Sequence, residues 1–495
     1  MKRKKTTPPP SAADVTRLAL EDHRRLLSEE EFNLLLQELE KPLYPAIRTN
    51  PLKAGPEAVR AWAGAYGWDL KPVPYCPTGW WINDTAAAPG QPMEHRLGFY
   101  YVQDAASMLP VELFDLEPDP NQLILDMAAS PGGKTTHLVS RSGDQGLVVA
   151  NDSSLDRVTA LRLVLQTWGA ANTAVTNFPG EKFGGWFPET FDRVLLDAPC
   201  SMQNLRSTDA HPMRPISARE RTALARRQAR LLASAFTALK TGGQLVYATC
   251  TLAPEEDEAV LDHLLQQYGD AFQILSLAKK LPAPAPGLAG DGSRSFHPDV
   301  VRAARLYPHR FGTSGFFCAL LSKTRPVESP EYSLPLRDLA KTGLERLYPR
   351  ESAAICAQLE QAYGFDYLKQ MAFQNLALWS RGDQIYVLPE AWIQHFGEIP
   401  FQAVGQLLGD SGPDGLAVSH EWLTRFAPRF QDGRVVLDAA QSAAWMRGED
   451  IQGSFSSPDH PAHIAAVFDQ QARLLGRGRV FTGRLKNLLP RRVIY

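Results

Sequence analysis

The apolar residues follow a helical spacing in some segments and form short continuous runs in others, and this pattern divides the chain into regions. Up to about residue 95, EEEFNLLLQELE and GPEAVRAWAGAYG have the helical spacing, and AIRTNPLK between them predicts a strand followed by a turn. We therefore expect a small α/β domain over residues 1–95. It begins with a basic, Pro-rich tail, MKRKKTTPPPSAADV, which predicts a disordered segment.

Residues 96–325 alternate between short apolar runs and helical segments. The runs LILDMA, LVVAND, TAVTNF, RVLLDAP, GQLVYATC and GFFCALLSK predict strands, and SLDRVTALRLVLQTWG and RTALARRQARLLASAFTALK predict helices. Such alternation favours a parallel sheet with helices on both faces. The sequence therefore predicts an α/β domain here, interrupted by a flexible excursion at KKLPAPAPGLAGDGSRS.

The C-terminal region follows a predicted linker, RPVESPEYSLP, and is too long for one small barrel. We expect one lobe over residues 326–394 and a second lobe, rich in strands and turns, over residues 395–495. The last stretch, RLLGRGRVFTGRLKNLLPRRVIY, contains no acidic residue, which favours contact with a phosphate backbone. The basic segment over residues 217–232 is better explained as a solvated helix face.

Composition and charge narrow the class of protein. The 495 residues exceed what one core holds, 44% are hydrophobic, and the net charge of −2 gives no global signature of nucleic-acid binding. No apolar run reaches the roughly 18–20 residues of a membrane span. The five cysteines are odd in number and lack metal-ligand spacing, which fits a reducing compartment. We expect a cytoplasmic protein with no membrane segment and no metal site.

A glycine-rich segment, DMAASPGGKTTHL, follows the predicted strand LIL and raises the question of a phosphate-binding loop. A P-loop needs a glycine at position 128, where this chain has Ala128, and Pro131 removes an amide donor. Asp152 ends the next strand, where a carboxylate can bind ribose hydroxyls or cap a helix. Because the dinucleotide fingerprint Gly-x-Gly-x-x-Gly is absent, the loop and the acid favour S-adenosylmethionine over a dinucleotide; an ordinary tight turn stays open, and a triphosphatase is the disfavoured alternative.

Two cysteines end predicted strands at the same sheet edge, in Asp197-Ala198-Pro199-Cys200 and in Thr249-Cys250-Thr251. A thiolate that adds to carbon 6 of a pyrimidine makes carbon 5 nucleophilic toward a methyl donor. A second base must then remove the carbon-5 proton, and a carboxylate can stabilise the charge shift. Two thiols and an acid fit this reaction, but their spacing does not rank the thiols. Cys318, inside GFFCALL, is expected to be core packing.

Seven segments together resemble the RNA cytosine-5 methyltransferases of the RsmB/RsmF/Nop family. They are RTNPLK, GFYYVQDAASMLP, DMAASPGGKT, VVAND, LLDAPCS, YATCTLAPEEDEAV and LYPHRFGTSGFFCALLSK, within about residues 40–323. The ending GRLKNLLPRR is similar to RsmF-type 16S rRNA methyltransferases. The resemblance implies a Rossmann-like, S-adenosylmethionine-dependent methyltransferase sheet, a small N-terminal α/β domain and PUA-like RNA-binding C-terminal lobes. It also implies an RNA partner. Nothing in the sequence suggests more than a monomer, and we expect no obligate protein partner.

The resemblance assigns roles to matching residues. Cys250 is the implied nucleophile, Cys200 assists product release, and Asp197 lies near the target base and the donor's amino-acid portion. The implied cofactor-binding set is Asp126, Ala128, Ala129, Ser130, Pro131, Gly132, Gly133, Lys134, Asp152, Pro179 and Asp197. Two positions depart from the family: Met202-Gln203-Asn204 replaces Gly-Glu-Gly, and Pro179 replaces an Asp that often contacts adenine.

The expected function is therefore methylation of cytosine carbon 5 in RNA, with 16S rRNA of the small ribosomal subunit as substrate. Two alternatives stay open. One is tRNA as substrate, since the acid-free basic C-terminus fits either RNA. The other is a non-catalytic RNA-binding assembly factor that keeps the cofactor pocket, which the altered loop at 202–204 would explain.

Overall fold

The computed structural model describes residues 19–84, 88–206, 214–413, 415–455 and 464–494; the predicted tail before residue 19 lies outside them. The α-helices comprise Glu29–Leu39, Pro56–Tyr66, Met93–Arg96, Leu109–Glu112, Gly133–Arg141, Leu155–Trp168, Phe183–Trp186, Ala218–Ala238, Glu258–Tyr268, Pro308–Phe311, Pro349–Tyr363, Tyr367–Gln374, Glu390–Phe396, His420–Phe426 and Ala439–Met446, and residues 19–24 are also helical. Short 3-10 helices comprise Ala106–Met108, Gly180–Lys182, Gly269–Ala271, Pro298–Arg302, Leu339–Thr342 and Ala427–Arg429.

The strands are β1 (Ala46–Thr49), β2 (Asp69–Pro72), β3 (Gly79–Asp84), β4 (Tyr100–Val102), β5 (Leu123–Asp126), β6 (Leu147–Asn151), β7 (Thr173–Thr176), β8 (Phe191–Asp197), β9 (Leu239–Thr249), β10 (Phe272–Leu275), β11 (Ala304–Leu306), β12 (Phe316–Lys323), β13 (Glu345–Arg346), β14 (Leu376–Arg381), β15 (Gln384–Pro389), β16 (Ala403–Val404), β17 (Gln406–Gly412), β18 (Gly415–Val418), β19 (Arg434–Leu437), β20 (Ile451–Gln452), β21 (Ile464–Asp469), β22 (Leu474–Phe481) and β23 (Arg484–Asn487). They form four sheets, which follow one another along the chain except at β16.

The first sheet is antiparallel and has the strand order β2-β3-β1-β4. The two predicted helices of this region are present as Glu29–Leu39 and Pro56–Tyr66, and AIRT forms β1. The first helix begins where Ser28 accepts a hydrogen bond from the Glu31 backbone N–H at 3.2 Å, which satisfies one of the free amides of its first turn.

The central sheet has the order β10-β12-β9-β8-β5-β6-β7-β16, and β11 pairs with β12. Strands β9, β8, β5, β6 and β7 are mutually parallel, which confirms the predicted α/β domain. The last strands differ from a purely parallel sheet, because β12 runs antiparallel to β9 and β10 antiparallel to β12. Within β5, Leu123 and Leu125 face one hydrophobic core and Ile124 faces the other, so a continuous apolar run is buried on both sides.

The C-terminal region contains the sheets β13-β14-β15-β17-β18 and β19-β21-β22-β23-β20. The first of these extends past residue 394, the expected division between the lobes, because β17 pairs with β15. The intervening β16 instead joins the central sheet through β7. The expected boundary therefore moves toward the C-terminus, and local pattern could not reveal it because both pairings join distant segments.

The C-terminal lobes are fixed to the rest of the protein by buried polar contacts. Arg425 donates a hydrogen bond to Asp144 Oδ2 at 2.5 Å, and Gln374 donates to the same oxygen at 2.8 Å. Lys53 from the N-terminal domain donates to the Thr167 carbonyl at 2.7 Å and to Thr424 Oγ1 at 3.3 Å. These contacts join three regions at one place, so the lobes have a fixed position relative to the central sheet. Among helices of the described residues, none combines the length and apolar character of a bilayer span.

Candidate active site

The predicted site residues gather at the carboxyl edge of the central sheet. Asp126, Asp152 and Asp197 lie at or just beyond the ends of β5, β6 and β8, and Cys250 directly follows β9. Asp197 is paired in register with Ala248 of β9. Pro179 lies in the loop after β7, two residues beyond Asn177, with which that loop begins. Parallel strands bring these segments together because all of their carboxyl ends meet at one edge.

The glycine loop after β5 makes a tight turn into the helix Gly133–Arg141. The Ala129 N–H donates to the Asn151 carbonyl at 2.7 Å, which ties the loop to β6. Gly132 has a φ of +115°, and a Cβ there would lie 2.9 Å from Val164 Cγ1. Only glycine fits this position without displacing its neighbour. The turn therefore needs glycine at position 132 and is held by β6 and the helix Leu155–Trp168.

Asp126 and Ser130 present polar atoms to this cradle. Asp126 is fully buried, accepts a hydrogen bond from Thr135 Oγ1 at 2.7 Å, and burial raises its pKa to about 7. Within the described part of the chain, Asp126 Oδ1 and Ser130 Oγ have no hydrogen-bond partner. An acceptor oxygen and a hydroxyl are suited to the ammonium and hydroxyl groups of S-adenosylmethionine, so the residues fit this cofactor.

Asp152 joins the glycine loop to the next helix. Its Oδ1 accepts the Ser154 N–H at 2.9 Å, and its Oδ2 accepts the Ser130 N–H at 3.3 Å. Arg157 forms an ion pair with Oδ2 at 3.6 Å and donates to the Ser130 carbonyl. The N-cap residue of the helix Leu155–Trp168 is Ser154. Asp152 therefore supports the turn before the helix rather than capping it.

Asn151 is a further polar residue of this edge, outside the set of predicted site residues. It is fully buried, and its amide nitrogen donates to the Met127 and Phe178 carbonyls at 3.1 and 3.0 Å. Its amide oxygen accepts from the Thr176 hydroxyl at 2.9 Å. Asn151 thereby holds the loops after β5 and β7, including the backbone beside Pro179. A polar residue at the end of the otherwise apolar LVVAN was the signal for it.

The N-terminal domain supports the cofactor helix through Arg48. This fully buried side chain donates to the Gly133 carbonyl at 2.8 Å and to Thr136 Oγ1 at 2.7 Å. Its guanidinium also lies 4.7 Å from the centre of the Trp168 ring. Arg48 of the motif RTNPLK therefore stabilises the start of the helix Gly133–Arg141 and does not itself lie at the carboxyl edge of the central sheet.

Lys134 connects the cradle to the thiols. Its Nζ forms an ion pair with Asp197 Oδ2 at 2.7 Å and lies 5.4 Å from the centre of the Phe316 ring. Burial acts against the ammonium charge, but Asp197 and the nearby Cys250 and Asp126 outweigh it, so the pKa of Lys134 is raised. The side chain therefore stays charged beside the thiols, where Asp197 holds it.

Cys200 and Cys250 lie side by side and are partly exposed. Their sulfur atoms are 3.0 Å apart. The hydrogen bond to Cys250, followed by desolvation, raises the pKa of Cys200 well above its ordinary value. Cys200 consequently keeps its proton while Cys250 is its partner. Cys318 is fully buried in β12, as expected of a core residue.

The loop that departs from the family sequence has an unusual backbone. Met202 and Leu205 have φ values of +57° and +66°. The Gln203 carbonyl accepts the Leu252 N–H at 3.1 Å, and the Asn204 carbonyl accepts the Gly315 N–H at 2.8 Å. Met202, where the resemblance implies a glycine, thus adopts a left-handed conformation that glycine reaches without steric cost.

One group away from this edge combines donor types found in metal sites. Donor atoms of Cys76, Glu112 and His137 lie within 4.8 Å of one another. His137 Nε2 and Glu112 Oε1 are hydrogen-bonded at 2.8 Å, and the guanidinium of Arg141 lies 3.6 Å from the same carboxylate. Burial is the largest cause of the lowered pKa of His137, and the charges of Arg48 and Arg141 lower this pKa further. We interpret the group as a buried hydrogen-bonded cluster.

Comparison with known proteins agrees with this geometry. The protein-family model for the 16S rRNA methyltransferase RsmB/F matches residues 113–322. The family model for the N-terminal domain of 16S rRNA methyltransferase RsmF matches residues 19–105. The ribosomal RNA small subunit methyltransferases F of Aeromonas hydrophila and Vibrio campbellii are 35% and 32% identical over 473 and 471 residues, which is 94% of each chain.

Solved structures show the same catalytic fold. A methyltransferase homologue from Pyrococcus horikoshii is 30% identical, covers 62% of this chain and 99% of its own, and has a TM-score of 0.51. NSun6 from the same organism, 21% identical over 62% of this chain and 98% of its own, shares the fold with a TM-score of 0.52. The chain therefore belongs to the RsmB/F family of 16S rRNA methyltransferases and is an S-adenosylmethionine-dependent enzyme with a Rossmann-like catalytic domain.

Proposed function

We propose that this protein methylates carbon 5 of a cytosine in 16S rRNA of the small ribosomal subunit, with Cys250 as the nucleophile. The observation that carries the proposal is the pair of thiols, 3.0 Å apart, beside the ion pair of Lys134 and Asp197. Carbon-5 methylation of a pyrimidine needs a nucleophile for carbon 6, a base for the carbon-5 proton and a group that stabilises the charge shift, and the two thiols and the carboxylate can supply these.

Cys250 begins the reaction by adding to carbon 6 of the target base. The cytosine must leave its stack to reach the sulfur at the sheet edge. The Lys134 ammonium and the Asp197 carboxylate form an ion pair beside the thiols, where the carboxylate is placed to stabilise the charge that develops on the ring. Addition at carbon 6 makes carbon 5 an enamine-type nucleophile.

The cofactor cradle orients the methyl donor toward that carbon. S-adenosylmethionine supplies the methyl group when bound. Asp126 and Ser130 provide polar partners that are free within the described residues, and Asp152 is placed at the end of β6, where ribose hydroxyls bind. Ala128, Ala129, Pro131, Gly132 and Gly133 shape the loop. Pro179 has no side-chain carboxylate, so it can contribute only its backbone. Asn151 holds the preceding residue, Phe178, in place.

Cys200 completes the reaction by enabling release. After methyl transfer, carbon 5 still carries a proton; removal of this proton restores the ring double bond and expels Cys250 as a thiolate. The main cause of the raised pKa of Cys200 is its hydrogen bond to Cys250. Bonding of the Cys250 sulfur to carbon 6 removes that cause, while desolvation still raises the pKa, so the Cys200 proton is lost more easily once the adduct has formed.

The RNA partner is expected to contact surfaces outside the central sheet. The basic C-terminal segment carries exposed Arg484, Lys486, Arg491 and Arg492, which favours contact with phosphates. We infer that the protein acts as a cytoplasmic monomer without an obligate protein partner. A tRNA substrate is the competing proposal, because phosphate contacts of this kind do not distinguish the two RNAs.

Transfer of labelled methyl from S-adenosylmethionine tests the proposal. The substrates are unmodified small subunits, naked 16S rRNA and total tRNA, and the Cys250→Ala protein is assayed in parallel. We expect label on cytosines of the subunit or its rRNA and none with the variant. Label on tRNA alone would overturn the substrate. Full activity of Cys250→Ala would overturn the nucleophile, and tight cofactor binding without any transfer would favour the assembly factor.

A further inference from the structure

Glu256, six residues after Cys250, reaches back to the other thiol loop. The residue is fully buried, and its Oε2 accepts hydrogen bonds from the Ser201 backbone N–H and from Gln228 Nε2, both at 2.9 Å. Among the described residues, Oε1 has no hydrogen-bond partner. The contacts that offset the burial of this carboxylate are therefore made by one oxygen, and one of them goes to the residue that follows Cys200.

Gln228 grips the same loop from the other side of the cysteine. Its Nε2 also donates to the Pro199 carbonyl at 2.9 Å. The residues before and after Cys200 are thus both held by the Gln228–Glu256 pair. Gln228 lies on the helix Ala218–Ala238, whose packing against the sheet fixes its position.

Glu256 is itself tied to the strand that carries the nucleophile. Its carbonyl accepts a hydrogen bond from the Tyr247 hydroxyl of β9 at 2.5 Å. A further link joins the residues that follow the two cysteines, because the hydroxyls of Ser201 and Thr251 are 3.1 Å apart. The backbone of the Cys200 loop is consequently held in register with the Cys250 loop from both sides.

We propose that Glu256 and Gln228 are positioning residues for the release step, which hold Cys200 beside the Cys250–base adduct. This inference rests on the proposed function. One carboxylate oxygen of Glu256 accepts hydrogen bonds from two N–H donors, and the two contacts together set the position of the loop. Because Cys250 is held by β9 itself, loss of the pair should spare its attack and slow the removal of the carbon-5 proton.

The test measures covalent protein–RNA adduct on denaturing gels during turnover with 16S rRNA and S-adenosylmethionine. We expect Glu256→Met and Gln228→Leu to accumulate adduct, as Cys200→Ala does, and to release methylated RNA roughly tenfold to a hundredfold more slowly, the effect of a misplacement of about 1 Å. Glu256→Gln keeps an acceptor oxygen and should restore part of the release rate.

Glu258→Gln is the matched control. Glu258 is equally buried and two residues away, but its carboxylate accepts the Leu288 N–H at 3.0 Å and pairs with Arg305. A protein that is merely destabilised would lose adduct formation and release together. Glu258→Gln and the thermal unfolding of each variant show whether this has happened. If Glu256→Met does not fold, Gln228→Leu decides the question.

The outcomes separate this inference from the function on which it rests. Adduct with Cys200→Ala but none above the wild-type amount with Glu256→Met and Gln228→Leu would overturn the positioning role alone. Absence of adduct in Cys200→Ala itself, with methyl transfer intact, would overturn the release mechanism. Adduct in the pair variants and not in Glu258→Gln would support the positioning role.

Discussion

The cofactor cradle and the thiol pair lie at the same sheet edge but are held in different ways. The cradle consists of one loop and the start of one helix. Its shape depends on the backbone turn at Gly132 and on backbone hydrogen bonds from the loop to β6. The thiols come from loops 50 residues apart and are joined by side chains from further segments. A motif in the sequence can therefore specify the cradle, whereas only the folded chain specifies the thiol geometry.

Lys134 crosses this division and provides the strongest test of it. By sequence it belongs to the glycine loop, but its ammonium contacts Asp197 near the thiols. We expect Lys134→Met to lower kcat by about a hundredfold, the scale for removing a preorganised charge. Single-turnover transfer of labelled methyl to 16S rRNA measures this loss.

Lys134→Arg is the control for that substitution, because it keeps the positive charge near Asp197. Cofactor affinity, measured by calorimetry, should change less than the rate in both variants. A loss of cofactor binding that accounts for the whole loss of rate would place Lys134 with the cradle instead.

Gly132→Ala tests whether the cradle depends on its local backbone. The φ of +115° and the 2.9 Å approach of a Cβ to Val164 predict strain of about 1–3 kcal/mol, with weaker cofactor binding. Gly242→Ala is a suitable control, since Gly242 has a φ of +83°, no atom within 4 Å of a Cβ, and a place near the amino end of β9. Equal losses of cofactor affinity in both variants would contradict a local effect.

Asp126 should make cofactor binding depend on pH. Burial raises its pKa to about 7, so the carboxylate is ionised in the folded protein only above that pH. Affinity for the cationic cofactor should increase by about tenfold between pH 6 and pH 8. Calorimetry across this range checks the expectation, and Asp126→Asn should bind more weakly with a flatter profile; an unchanged slope would assign the titration to another group.

The same pKa shift has the opposite sign for the stability of the free protein. Between the ordinary pKa of 3.8 and about 7, folded Asp126 keeps a proton that the unfolded chain has lost. The contribution of Asp126 to stability therefore falls as the pH rises through that window. Denaturant midpoints of the wild type and Asp126→Asn at pH 5 and pH 8 would isolate this contribution.

The elements that were predicted from sequence are those with local signals. The apolar runs identify β5, β6, β7 and β8, because strands buried on both faces show continuous apolar residues. The glycine loop was placed correctly at the end of β5 for the same reason. Neither the antiparallel placement of β10 and β12 nor the pairing of β16 with β7 has such a signal, since each depends on partners distant in sequence.

The same limit applies to the site. Thiols and acids at strand ends could be listed from the sequence, but the ion pair between Lys134 and Asp197 spans 63 positions and the contact between Glu256 and Ser201 spans 55. Both contacts are between side chains or loops that parallel topology brings together. Spacing alone could therefore propose the participants and not their arrangement.

Met202 gives the smallest expected effect and tests the thiol loop's backbone. A φ of +57° costs an L-residue about 1–2 kcal/mol of folding free energy, a cost that glycine avoids. Glycine in turn loses about 0.5–1 kcal/mol because its unfolded state has more conformational freedom. Met202→Gly should therefore stabilise the protein by about 0.5–1 kcal/mol in denaturant unfolding. Met202→Ala keeps the strained φ while it removes the side chain, so it should not be stabilised. Equal stabilisation in both variants would show that the exposed side chain, rather than the backbone, carries the cost.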